Sequence, residues 1–135
     1  MNAEEAAPVA GIAGCLAVVL AMAAPYLLVS DPGTGLSVYY RAGPTGAGIV
    51  AFLALLAVVV FLAGVRGRTD PPTAAGVALV LGVGMVLLAL LWAFAVPPEI
   101  VFGFPAEWMD WHRWAVVALT AVVPAAGALY ARSAL

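Results

Sequence analysis

The chain has 135 residues, of which 66% are apolar and only 9% charged, with a formal net charge of −2 and no lysine. With Tyr left out and Gly added, the apolar share is about 73%, against roughly 45–50% in soluble domains, and a domain this small buries too little surface to hide it. These figures exclude a soluble globular enzyme and a disordered chain, and five scattered arginines make no nucleic-acid surface.

A protein of the lipid bilayer remains. Charged residues fall in the gaps between four apolar runs, 6–29, 46–65, 72–96 and 114–131. Each is at or near the ~20 residues that cross a ~30 Å hydrocarbon layer as a helix, and none alternates as a barrel strand would. The predicted fold class is all-α: one transmembrane domain, 1–135, an antiparallel four-helix bundle with spans at about 6–29, 45–65, 71–96 and 106–131.

In the first run, Pro8 follows Glu4 and Glu5, a pattern that suits a helix start. Ile12-Ala13-Gly14-Cys15 has the form of a lipoprotein cleavage box, and Ala21-Met22-Ala23 that of a signal-peptidase site. An acidic leader, an apolar run longer than the usual ~7–15 residues and the apolar Leu16 to Leu20 after the cysteine all argue for a retained span. Cys15, the single cysteine, reads as a small buried hydrophobe. Pro25 predicts a local kink, and Ser30, Asp31, Pro32 and Gly33 a turn.

The segment 31–43 holds Tyr39, Tyr40 and Arg41. Residues 36–41, aromatic and bounded by glycine, are expected to be extended and to pair with 100–104 as a small β-like cap over the bundle. Pro44 opens the second span, which ends before Arg66 and Arg68. An even number of spans puts both termini and this short loop on one side, with Arg66, Arg68 and Arg132, against Arg41 and Arg113 on the other. The positive-inside rule then places the protein in the cell membrane with cytoplasmic termini.

Asp70 before Pro71 and Pro72 reads as an acidic N-cap with prolines in the first turn, and Pro97-Pro98 stops the third span. Small residues recur four apart: Ala13, Ala17 and Ala21; Ala74, Ala78 and Gly82; Ala121 and Ala125. Such spacing suits close helix packing in lipid, and a large side chain at Gly82 is expected to push two helices apart. In the segment 97–114, Trp108, Trp111 and Trp114 stand three apart, as an interfacial belt would. Asp110 and Arg113 are spaced for an i,i+3 ion pair, with His112 among them. Pro105 is expected to open the last helix, with Glu107 near its positive end, and Pro124 to kink or fray it locally.

Within the four runs there is no Asp, Glu, Lys, Arg, His, Asn or Gln. Intramembrane ionisable groups mark ion and substrate pathways, so their absence argues against a pore or pump built by one chain. A lone His112 with Met109 nearby makes neither a metal nor a haem site, and no catalytic residue, metal or cofactor is expected. The chemistry-bearing residues that remain are Tyr39, Tyr40, Arg41, Glu99, Trp108, Asp110, Trp111, His112 and Arg113 at the outer face. They either anchor the protein at the headgroups, the commoner use of such aromatics, or converge on a partner or small ligand. The expected function is a non-enzymatic accessory or scaffold subunit, whose partners are membrane lipid and another membrane protein or a second copy, with no nucleic acid. The alternative is an oligomeric transport or channel component lined by the hydroxyls of Thr45, Thr73 and Thr120. A lipid-directed enzyme, resting on His112 beside Asp110, is a third reading.

Arg68-Thr-Asp-Pro, Ala75-Gly-Val-Ala-Leu-Val, Leu91-Trp-Ala, Val96-Pro and His112-Arg-Trp carry a resemblance over nearly the whole chain. The sequence resembles small four-span membrane proteins of unknown function from halophilic archaea. The absence of lysine and the Ala/Val/Gly-rich spans are compatible with it. The resemblance implies fold and membrane location and brings no activity with it.

Overall fold

A computed structural model describes residues 2–28, 35–104 and 107–135. Six helices follow in chain order: α1 (Ala3–Leu28), α2 (Gly35–Arg41), α3 (Gly48–Val65), α4 (Pro71–Ala95), α5 (Pro98–Phe102) and α6 (Met109–Ala134). No strand forms among the described residues. Helices α1, α3, α4 and α6 are each long and apolar enough to cross a membrane, and a spanning helix satisfies its own backbone polar groups where no water can. The turn expected at 30–33, the helix start expected at Pro105, and residues 29 and 106 at the expected span limits lie outside the described residues.

Small residues share the interior with a few large ones, such as Trp92, Phe61 and Tyr130, while many large aliphatic side chains point outward. Ala54, Ala57, Ala74, Ala75, Ala78 and Ala89 are fully buried, while Leu20, Leu27, Val59, Val80 and Phe94 stand exposed. Lipid solvates large apolar groups at no cost, and small residues inside let backbones approach. An apolar surface of this extent is what a bilayer covers.

Around the bundle the order is α1, α3, α4, α6, with α6 closing back on α1. All four neighbouring pairs run antiparallel. Gly82 of α4 meets Pro124 of α6 while Leu79 meets Gly127, and Phe94 meets Trp114. Gly11 of α1 faces Phe61 of α3, Gly14 faces Val122 of α6, and Gly64 of α3 faces Ala74 of α4. At Gly82 a Cβ would fall 2.6 Å from the Pro124 nitrogen, so only glycine admits this approach. Ala74, Ala78 and Gly82 therefore line the α4 seam as expected. The other stripes differ: Ala13, Ala121 and Ala125 are exposed, and the close approaches fall at Gly11, Gly14 and Gly127 instead. Alanine faces lipid without penalty, whereas a missing Cβ makes room for the Phe61 ring at Gly11 and the Val122 side chain at Gly14, and lets the Leu79 backbone approach at Gly127.

The expected β-like cap is overturned. Residues 36–41 lie within helix α2, and 100–104 begin within α5; α2 packs on α5, and α5 on α6. Tyr39 and Tyr40 are both buried. Consecutive strand side chains point to opposite faces, but consecutive helical ones can both turn inward. Pro98 at the first position of α5, with its preset φ, favours a helical turn there as well. The chain leaves α2 through a turn in which Gly46 adopts φ +71° and a Cβ would stand 2.8 Å from the Tyr40 carbonyl oxygen. A left-handed glycine is required there.

Two helix ends also differ from expectation. Asp70 occupies the N-cap position of α4 but makes no cap hydrogen bond; its carboxylate accepts the Thr73 hydroxyl at 3.3 Å. Pro72 at the second helical position has no N–H to offer it, and at the third position the carboxylate takes the Thr73 hydroxyl rather than the amide. Helix α6 starts at Met109, and both α1 and α6 continue through their internal prolines, Pro25 and Pro124.

Candidate functional site

Proline at position 25 of α1 has no N–H, so the carbonyl of Ala21, four residues back, lacks its helical donor. In lipid such an oxygen must find another donor. His112, in the first turn of α6, supplies it: Nε2 lies 2.7 Å from the Ala21 oxygen. A carbonyl only accepts, so Nε2 carries the hydrogen, and the other ring nitrogen of the neutral imidazole is an acceptor. The Tyr39 hydroxyl of α2 donates to that Nδ1 at 2.8 Å.

Two further bonds fasten α2 to the bundle. Trp92 of α4 donates its Nε1–H to the Tyr39 carbonyl at 2.7 Å. Helices leave their last carbonyls unpaired, and this indole serves one of them. The next, Tyr40, accepts from the Ala47 amide at 2.8 Å. The Tyr40 hydroxyl in turn donates to the Met22 carbonyl at 2.5 Å. Rings fill the space between these bonds. Tyr39 meets Trp92 and Phe104 edge-on, with centroids at 5.2 and 5.8 Å, and Tyr40 stacks between Trp92 and Tyr26. The Trp108 ring stands edge-on to His112 at 5.7 Å.

Burial pushes the Tyr39 hydroxyl well above the ordinary phenol range, and the nearby Arg113 charge only partly offsets it. Burial also raises Tyr40, and the neighbouring phenols of Tyr39 and Tyr26 add to the shift. Both remain neutral hydrogen-bond donors at ordinary pH.

The nine expected residues thus divide. Tyr39, Tyr40 and His112 come together in a buried cluster, with Trp108 half-buried beside it. Arg41, Glu99, Asp110 and Trp111 are exposed on α2, α5 and α6. Arg113 is half-buried, its Cζ 5.5 Å from the Trp114 ring centroid. Its Nε and Nη1 are buried without a hydrogen-bond partner, so the expected pairing with Asp110 does not form at these atoms. Both nitrogens of His112 are engaged within the cluster, by Tyr39 and by the Ala21 carbonyl. The three threonines lie apart within the chain. Thr45 lies in the turn before α3, Thr73 at the opposite end on α4, and Thr120 inside α6, bonded back to the Val117 carbonyl at 2.6 Å. Among the described residues no three His, Cys, Asp or Glu side chains gather as a metal site.

Sequence reasoning missed Trp92, Phe104 and the carbonyls of Ala21 and Met22. The signal was present in Pro25: a proline within a spanning helix frees a carbonyl, and very few side chains of this composition can donate to one.

In comparison with known proteins, the whole chain, residues 1–135, matches a family described as a family of unknown function (DUF7548). No curated protein and no solved structure matches it.

Proposed function

The chain belongs to the DUF7548 family, whose function is unknown, and on that premise we propose that it is a non-enzymatic membrane scaffold that meets a protein partner through its α2–α5 cap. One observation carries the reading. The cap's polar core is spent on holding α2 against α1, α4 and α6 through Tyr39, His112 and Trp92, while Arg41, Glu99, Asp110 and Trp111 are left exposed around it. A rigid platform with a charged and aromatic rim suits recognition, since Trp and Arg dominate contact energies at protein interfaces. Cytoplasmic termini, with the cap on the opposite side, belong to the same proposal and rest on the Arg66–Arg68 pair. So does a source in halophilic archaea, supported by the lysine-free, Ala/Val/Gly-rich sequence.

The test is site-specific photo-crosslinking in the native membrane, followed by reconstitution. Crosslinkers placed at Trp111 and Glu99 should capture the same protein species, and one placed at the lipid-facing Val59 should not. Purified protein should leave liposomes impermeable to small ions. Flux across liposomes, or capture of the same protein equally from all three positions, would overturn the scaffold reading, and flux would favour a transport component.

A further inference from the structure

We propose that the Arg113 guanidinium seats a phosphate group, and that in the membrane this phosphate belongs to a phospholipid headgroup. A guanidinium carries a positive charge and five donors but no acceptor. Its Nε and Nη1 are nonetheless buried without a partner, an arrangement whose desolvation needs an anion in compensation. Among the described residues no group supplies one at these atoms. Asp110, Glu99 and Glu107 are exposed, and the Tyr39 hydroxyl is committed to His112. The Trp114 ring covers the guanidinium at 5.5 Å and adds attraction but no acceptor oxygen.

Depth identifies the anion. The uncharged stretch of α6 runs from Trp114 to Ala131, with Arg113 just before it and Arg132 just after. At ~1.5 Å per residue that stretch is roughly 27 Å long, close to the ~30 Å hydrocarbon layer. Arg113 therefore sits where the hydrocarbon ends and the lipid phosphates begin. Nε and Nη1 are enclosed, so a phosphate oxygen meets this half-buried side chain at Nη2 and compensates the charge from there. The inference goes beyond the scaffold reading and requires only that the chain lies in a bilayer.

The experiment compares wild type, Arg113→Gln, Arg113→Lys and the exposed-arginine control Arg41→Gln, each purified in an uncharged detergent. Thermal unfolding and native mass spectrometry are followed with phosphatidylglycerol, with an uncharged galactolipid lacking phosphate, and with inorganic phosphate. Phosphatidylglycerol should raise the unfolding temperature of wild type and Arg41→Gln, and the galactolipid should not. Arg113→Gln should retain phosphatidylglycerol at least fivefold more weakly, with Arg113→Lys between. Without lipid, Arg113→Gln should match or exceed wild type, because an uncompensated charge has gone; with lipid it should fall below. A full shift with inorganic phosphate alone would keep the phosphate seat but assign it to a free anion. Equal phosphatidylglycerol retention by wild type and Arg113→Gln would overturn the proposal. Should Arg113→Gln not fold, galactolipid competing equally with phosphatidylglycerol on wild type would overturn it as well.

Discussion

His112 Nε2 stands 2.7 Å from the carbonyl oxygen of Ala21, the oxygen that Pro25 deprives of a donor from its own helix. A break in one spanning helix is thus mended by another, and the mending ring also receives the Tyr39 hydroxyl of α2. The coupling can be measured. His112→Ala leaves two buried partners unsatisfied and should cost about 1–3 kcal/mol in reversible unfolding in detergent. In a Pro25→Ala background the restored N–H reaches the Ala21 oxygen, and the same substitution should cost about 1 kcal/mol less. Strict additivity of the two changes would refute the relationship.

Trp92→Phe keeps an aromatic ring but removes the donor to the Tyr39 carbonyl. An unpaired buried carbonyl costs about 1–3 kcal/mol, and here the loss should fall on α2. Limited trypsin digestion reads it, because Arg41 is exposed at the end of that helix. Cleavage after Arg41 should accelerate in the variant, with cleavage after Arg66 and Arg68 unchanged.

At Gly82 an added Cβ would fall 2.6 Å from a backbone nitrogen that cannot swing aside. Gly82→Ala should destabilise by about 1–3 kcal/mol, as overpacking does, and Gly82→Leu by more. Gly84, on the same helix, has nothing within 4 Å of its Cβ position. Gly84→Ala should be neutral or stabilising by up to about 1 kcal/mol. Unfolding temperatures in one detergent compare all three.

Tyr39 and Tyr40 should be late to ionise. A phenol whose folded value lies above its unfolded one supports folding in full below about pH 10, and its contribution is lost as pH rises through the folded value. The contribution of these two phenols should therefore decline only above about pH 10. Tyrosinate absorbance gives the check: Tyr39→Phe and Tyr40→Phe should each remove one phenol from the late part of the titration.

The four spanning helices were legible because hydropathy depends on composition over a window, and lipid asks little else of a helix. The Gly82 seam was legible for a similar reason, since a glycine in register with Ala74 and Ala78 leaves a groove. Other alanine stripes misled, because Ala13, Ala121 and Ala125 face lipid at no cost. The cap was misread because aromatic and β-branched residues suggest a strand locally. The burial of both Tyr39 and Tyr40 depends on Trp92 and His112, far away in sequence. His112 was singled out beside Asp110, its near neighbour in the chain, yet its partners come from α1 and α2. Adjacency along one helix face says nothing of what the neighbouring helix presents, and the open carbonyl of Ala21 is invisible unless Pro25 is read for what it removes.

Pro25 also imposes an order on biogenesis. Once α1 leaves the ribosome, its open oxygen must wait for an imidazole encoded 91 codons later. Until the final helix enters the bilayer, α2 has no tether through His112, and the first helix carries an unmet polar group into an oily environment. A nascent chain arrested before that point lacks the packing of α6 on α1 and α4 as well as both bonds of His112, and its Ala21 oxygen stays open in the bilayer.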